Sequence, residues 1–170
     1  AARNMGSGRI MGFINDVCPS PADRPSAELL GGGTLECDPD GETTVFIFKT
    51  ISEERVGLLS YFKVFSGTLK TGDELVNAGN RASERFGQLF VANGRDRDQV
   101  NELKAGDIGV TVKLKSSHTN NTLNAKGVDR RILPMEFPEP RIRVAVNPPS
   151  KAEMEKLMKA LHTIEEEDPT

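Results

Sequence analysis

The chain has 170 residues and a mass of 18.5 kDa, enough for one domain with a real core, or for one domain with pieces of its neighbours, and too short for a large multidomain enzyme. Hydrophobic residues make up 36% and charged residues 28%, with 16 Gly, 10 Pro and no Trp, an ordinary soluble composition that excludes the disordered and membrane classes. The formal net charge of −3 is unevenly spread: residues 1–44 carry 3 basic against 7 acidic groups, 45–123 carry 11 against 9, 124–135 carry 3 against 1, and 136–170 carry 5 against 8. A mildly basic middle between acidic ends permits contact with a polyanion without announcing nucleic-acid binding. No apolar run approaches the roughly 18 residues of a membrane helix. The N-terminus also lacks the basic region and apolar stretch of about 7 to 15 residues that mark a secretory leader. A start at Ala1 without Met leads us to expect an excerpt of a longer chain. Cys18 and Cys37, nineteen positions apart and without CxxC spacing, are expected as reduced thiols of a cytosolic protein.

Ile10, Phe13, Ile14 and Val17 fall at i, i+3, i+4 and i+7, the apolar stripe of a short helix that Pro19 and Pro21 end. A helix this short is marginal in water, so its stripe asks for a partner. From Ser20 to Thr43, Gly31-Gly32-Gly33 and Asp38-Pro39-Asp40-Gly41 give turn and linker chemistry, and a domain boundary is placed there. Thr44 to Phe48 reads as a nearly continuous apolar strand, and Leu58 to Phe65 as a longer one with bulk on both faces. Gly67 and Gly72 bracket a tight turn before Glu74-Leu75-Val76. Arg85 to Val91 and Val100 to Leu103 follow, then a turn at Ala105-Gly106-Asp107. In the clearest strand, Ile108, Val110, Val112 and Leu114 are expected buried, and the alternating Gly109, Thr111, Lys113 and Lys115 wet. Six or seven such strands predict an antiparallel barrel or sandwich, with closure favoured because it removes exposed edges.

After Pro134, Glu136 to Pro140 is a rigid connector, Arg141 to Val146 alternates as a strand through Ile142, Val144 and Val146, and Pro148-Pro149 punctuates. Ser150-Lys151-Ala152-Glu153 is a capping box opening a helix whose apolar face is Met154, Leu157, Met158, Leu161 and Ile164. A strand and an amphipathic helix begin a second domain, which is expected to continue past Thr170.

For nucleotide chemistry there is no GxxxxGK[ST] loop and no strand-bounded GxGxxG. Asp38-Pro39-Asp40-Gly41 fits a loose DxxG pattern, yet in this linker it reads as a turn. His118, in the polar loop 116–121, and His162, beside the C-terminal stripe, lack partners at metal-ligand spacing and read as surface or packing histidines. Glu165-Glu166-Glu167-Asp168 opposes the macrodipole of a helix C-terminus and reads as a solvated end. No catalytic, metal or cofactor site is therefore expected. What remains is basic: Lys63, Lys70, Arg81, Arg85, Arg95, Arg97, Lys104, Lys113 and Lys115 lie on or between the strands, either as solubilising charges or as phosphate contacts. With aromatics at 5%, a stacking platform is not expected, so any RNA would be held by backbone and shape.

Phe62-Lys63-Val64-Phe65-Ser66-Gly67-Thr68-Leu69-Lys70-Thr71-Gly72 resembles the barrel signature of the translational GTPases, and Ala105-Gly106-Asp107-Ile108 resembles the turn and strand that close that barrel. Met135 to Pro140, followed by Lys156 to Ile164 and Glu166-Glu167-Asp168-Pro169, is similar to the start of the third domain of bacterial elongation factor G. Phe13 to Pro25, with Pro19-Ser20-Pro21, resembles the last helix of that factor's GTPase domain and the exit from it. The resemblance implies a mainly β fold: a closed antiparallel β-barrel of the translation-factor domain II type, flanked by an N-terminal helix and a partial α+β, ferredoxin-like domain. Residues 1–25 would be the end of an absent GTPase domain with its exit linker, 26–135 the barrel, and 136–170 the truncated third domain. It further implies a parent GTPase that drives translocation of transfer and messenger RNA, with GTP and magnesium bound outside this segment. The barrel would then pack on the GTPase domain of its own chain and touch small-subunit ribosomal RNA. Among individual residues, the resemblance extends to Arg81 and Arg85, in a loop and strand start that the family makes basic, and more weakly to Lys70. The loop 77–84 is poorer in lysine than the family pattern, which hints at a divergent paralogue. A ribosome-recycling or ribosome-protection paralogue, or a plain interaction barrel without RNA contact, stays open as the alternative. In each case we expect a cytoplasmic, monomeric segment without membrane contact or enzyme activity of its own.

Overall fold

Helix α1 forms where the apolar spacing puts it, over Ser7–Val17, and ends at Cys18 ahead of Pro19. None of its residues is buried, and Phe13 is 60% exposed. A computed structural model of the chain describes residues 5–53, 56–94, 96–148 and 150–168; Arg95, Pro149 and Pro169, all used in reading the sequence, lie outside the described residues.

The stretch from Ser20 to Thr43 is more structured than a linker. A 3-10 turn at Pro21–Asp23 is closed by Ser20, whose hydroxyl and N–H both donate to Asp23 Oδ2, at 2.6 and 3.0 Å. Strands β1 (Ala27–Glu28) and β2 (Thr34–Leu35) then pair as an antiparallel hairpin. Leu35 joins Phe46 and Ile132 in a small apolar cluster, with Leu29, Phe65 and Met135 packed against it, and the Leu30 N–H donates to Arg131 O at 2.7 Å. Isolated leucines among Gly and Pro carry no periodicity, so nothing in the sequence marked this hairpin.

β3 (Thr44–Glu53) and β4 (Gly57–Ser66) form a long antiparallel pair. Period-two alternation sends Val45, Ile47, Phe62 and Val64 into the main core, with Leu69, Leu75, Phe86, Leu89, Leu103 and Leu123. The chain continues through β5 (Thr68–Lys70), β6 (Glu74–Asn77), β7 (Ser83–Arg85), β8 (Leu89–Asn93), β9 (Asp96–Val100), β10 (Glu102–Lys104), β11 (Ile108–Val112) and β12 (Thr122–Asn124). Eight strands make one sheet in the order β7-β6-β12-β3-β4-β11-β8-β9, while β5 and β10 pair with each other.

Several expectations change. Gly67 to Gly72 is not one turn, because β5 lies between them and pairs with β10. Arg85 to Val91 is not one strand. It divides between β7 and β8 as Phe86 drops into the core and meets Phe62 edge-on, 5.5 Å between ring centres. β11 is buried on both faces at Gly109, Val110 and Thr111, so Val110 is inside as expected while Gly109 and Thr111 are not wet and Ile108 is not buried. A Cβ on Gly109 would collide with Leu103 Cδ1 and stand 2.7 Å from Phe62 Cζ, so those side chains already fill the space a larger residue would need. Thr111, on the same face, is fully buried and donates to Gln88 O at 2.9 Å, whereas Ile108 is 56% exposed. Val110 is buried on the opposite face, and the strand ends before Lys113, whose φ of 65° breaks the ladder.

Residues 141–146 form no strand. Ile142 is 82% exposed, and among the described residues no strand pairs with this segment, so its alternating pattern lacks the ladder that would hold it. Helix α2 (Lys151–Glu167) begins at the expected cap, with Ser150 Oγ accepting the Glu153 N–H at 3.3 Å, but the return bond from Glu153 that would complete the capping box does not form. Its apolar stripe stays exposed at Met154, Met158, Leu161 and Ile164. The acidic end is exposed at Glu165, Glu167 and Asp168, as expected, yet it also makes contacts: Glu167 Oε1 accepts the Ser52 N–H of β3 at 2.5 Å, and His118 Nδ1, in the loop before β12, lies 2.5 Å from Oε2 of the half-buried Glu166. Neither helix is long and apolar enough to cross a membrane.

Candidate nucleic-acid interface

Lys70 ends β5. Its N–H donates to Asp73 Oδ2 at 2.8 Å, closing a short turn, and the Gly72 N–H in that turn donates to Phe86 O at 2.7 Å. This bond lays the end of β7 beside the turn, and Arg85 Nη2 comes within 4.0 Å of the Cβ position of Gly72. The cross-strand acids are occupied elsewhere: Glu74, opposite Arg85, accepts from Ser83 Oγ at 2.6 Å, and Glu102, opposite Lys70, lies 3.8 Å from Lys104. Among the described residues, neither Lys70 nor Arg85 has an ion-pair partner, and both are exposed. The structure therefore brings two of the three predicted residues to one end of β7.

Arg81 sits apart, in the loop before β7, with a φ of 63°. That loop is built on buried Asn77, whose amide donates to Ser117 Oγ at 3.0 Å and Asn121 Oδ1 at 2.8 Å and accepts the Gly79 N–H at 2.8 Å. Asn80 adds a bond to Ser116 O at 2.7 Å. Arg81 Nη2 reaches Asp129 Oδ2 at 2.8 Å in an exposed pair, which contributes little to stability. The hydrogen bond from Arg81 holds the Asp129 carboxyl below its ordinary value of 3.8, and the charges of Arg81 and Arg131 act in the same direction. A depressed folded value means that the contribution of this tether is present above about pH 4 and is lost as pH falls through the folded value. Arg81→Ala is expected to return Asp129 to the ordinary carboxylate range in an NMR carboxyl titration. An unmoved midpoint would show that the bond is not what depresses it.

Sequence reasoning did not single out the segment that receives Arg81. Arg131 Nη2 donates to Ala78 O at 2.6 Å, Asn124 Nδ2 donates to Arg130 O at 2.8 Å, and Arg130 pairs with Glu42 at 3.1 Å. Lys126, Arg130 and Arg131 thus lie in a segment held against the Arg81 loop, and the local excess of 3 basic residues over 1 acidic in 124–135 was the available signal. Of the other cations, Arg97 pairs with Glu53, and Lys63 lies over the Phe65 ring at 5.1 Å from its centre. Lys115 flanks a loop whose 115 and 116 N–H groups donate to the buried carboxylate of Glu84.

The DxxG-like stretch does not fit a magnesium–nucleotide motif. Asp38, in the DxxG-like stretch, spends its carboxylate on the Asp40 N–H at 2.9 Å and its carbonyl on the Gly67 N–H at 2.7 Å, which makes the segment a brace for β4. Among the described residues, no three His, Cys, Asp or Glu side chains group as metal ligands.

Sheet order, core and charged loops define a mainly β domain with basic side chains on its strands and turns, between two helical flanks. The family model for elongation factor G domain 2 matches residues 42–126, half of the chain, and that for elongation factor G domain III matches residues 137–170. The chain belongs to the elongation factor G family, and its matched segments correspond to that family's second and third domains. A crystal structure of a protein from Thermus thermophilus is similar over 99% of this chain, with 26% sequence identity and a TM-score of 0.77. This chain spans 24% of that protein's length.

Proposed function

We propose that this chain is the ribosome-binding barrel and the start of the third domain of an elongation factor G-like protein that couples GTP hydrolysis to translocation. The observation that carries the reading is the pair of family matches in consecutive order, 42–126 and then 137–170. Arg85 and Lys70, adjacent and without carboxylate partners among the described residues, would take phosphates of small-subunit ribosomal RNA. Such contacts fix position without reading sequence. Arg81 would join them by exchanging Asp129 for a phosphate. The exposed stripe of α1 would pack on the GTPase domain, where GTP and magnesium would bind. The parent would be a cytoplasmic GTPase, and this segment would be monomeric and without catalysis of its own.

The same reading closes the sheet into a barrel through β5 and β10. β10 follows edge strand β9 after the single residue Asn101, and β5 leads into β6, the neighbour of edge strand β7. Thr71 supports the closure, donating its N–H to Asn101 O at 2.9 Å and its hydroxyl to Val100 O at 3.2 Å. Closure would protect both edges.

In the full-length factor, Arg81→Glu with Arg85→Glu is expected to weaken ribosome association and to lower the salt dependence of log K by about one unit for each phosphate no longer engaged. Unchanged affinity and slope would reduce these arginines to surface charge. That result would favour the second reading, a recycling or ribosome-protection paralogue with a weaker hold on RNA, which the neutralisation of Arg81 by Asp129 already supports.

A further inference from the structure

We propose that the cleft between the exit turn after α1 and the outer face of β4 binds a phosphate-bearing nucleotide, free or at the end of an RNA strand. The cleft holds about 260 Å³ and opens to solvent, near the lower end of the range for small-ligand sites, and its lining includes Arg24, Ser26, Leu35, Cys37, Lys63 and Phe65. Among the described residues, no carboxylate lines it. Arg81, Arg97, Lys104 and Arg130 each meet an acid within 4 Å, but among the described residues neither Arg24 nor Lys63 does. The cleft therefore carries two uncompensated positive charges on opposing segments.

Its walls are held before any ligand arrives. Ser20 locks the turn that ends at Arg24 with its two bonds to Asp23. Pro21 packs so closely on Gly106 that a Cβ there would lie 2.7 Å from Pro21 Cβ. On the other wall, the half-buried Lys63 lies over the Phe65 ring, and Phe65 is itself braced edge-on by Phe46 at 6.2 Å. Such a cleft loses little entropy on binding. Paired cations recognise phosphate, while the Phe65 and Leu35 side recognises the flat or apolar part of the same molecule. This site uses none of Lys70, Arg81 or Arg85, and does not depend on the ribosomal RNA reading.

Calorimetry and amide shifts of the 170-residue chain would test it, with inorganic phosphate, adenosine 5′-monophosphate and a 5′-phosphorylated single-stranded RNA hexamer as probes. We expect the monophosphate to shift Ser26, Cys37 and Lys63. Arg24→Gln and Lys63→Gln should each weaken it about tenfold, as loss of a hydrogen bond to a charged group does. Arg24 is exposed, so its variant folds. Phe65→Leu should weaken the monophosphate while leaving inorganic phosphate unchanged. Tighter binding of the hexamer would identify a strand end as the ligand, and equal affinity a free nucleotide; both support the site. Failure of both nucleotide probes to bind, equal affinity for inorganic phosphate and the monophosphate, or unchanged affinity in the Arg24 and Lys63 variants would overturn it.

Discussion

Gly67→Ala is expected to destabilise the domain by about 2–5 kcal/mol, a large part of the roughly 5–15 kcal/mol that holds a domain folded. Gly67 has a φ of 75°, a left-handed conformation that costs a residue with a Cβ about 1–2 kcal/mol. The added Cβ would also stand 2.6 Å from both Thr43 Cα and Thr43 N, and 2.7 Å from Gly41 O. These are backbone atoms that cannot rotate aside, so overpacking adds about 1–3 kcal/mol. Nor can Gly67 retreat, because its N–H donates to Asp38 O at 2.7 Å and its carbonyl accepts the Ala105 N–H at 2.9 Å. Gly87→Ala is the control: nothing lies within 4 Å of its Cβ position and its φ is outside the left-handed region, so its effect should stay within about 0.5 kcal/mol. Urea denaturation of the two variants separates the cases. A Gly67→Ala midpoint equal to that of Gly87→Ala would show that this crossing of β4 over the Asp38 turn is not tight in solution.

The sequence made α1 and α2 legible because each carries an apolar stripe at helical spacing, and β3 and β4 because each is a run of β-branched and aromatic residues. Shorter or more polar elements left no such trace. β9 is Asp96-Arg97-Asp98-Gln99-Val100, an edge strand with no apolar face to read. β12 is only Thr122-Leu123-Asn124, and its two polar residues are buried because bonds such as Thr44 Oγ1 to Asn124 Oδ1, at 3.1 Å, satisfy them. In β11, burial of Val110 was legible but that of Gly109 and Thr111 was not: hydropathy reads Gly109 as wet, whereas the Phe62 ring covers it. For the basic residues, sequence placed Lys70, Arg81 and Arg85 on a turn, a loop and a strand start. It could not show that Arg81 is answered by Asp129, 48 positions away, or that Arg85 lies beside the turn that Lys70 opens. The alternation of 141–146 was a pattern without a partner, and strand propensity alone does not form a ladder.

Asn77→Ala is expected to cost about 2–4 kcal/mol, from the loss of three short and two long side-chain hydrogen bonds and a small cavity at a site 1% exposed. Asn77→Asp should not rescue it. An aspartate could still accept the Gly79 N–H, but its second oxygen would face Asn121 Oδ1, now 2.8 Å from the donating amide. Asn121 cannot turn its amide to help without giving up the His118 N–H, which the same Oδ1 accepts at 3.1 Å. Two acceptors would then oppose each other in a buried site, a cost comparable to losing the side chain. Both variants should also loosen the Arg81 loop, since Gly79 and Asn80 are held through this hub, and amide exchange at residues 79–82 should speed up together with the loss of stability. An aspartate variant as stable as the parent, with unchanged exchange in the loop, would mean that the network around Asn77 does not hold Arg81 in place.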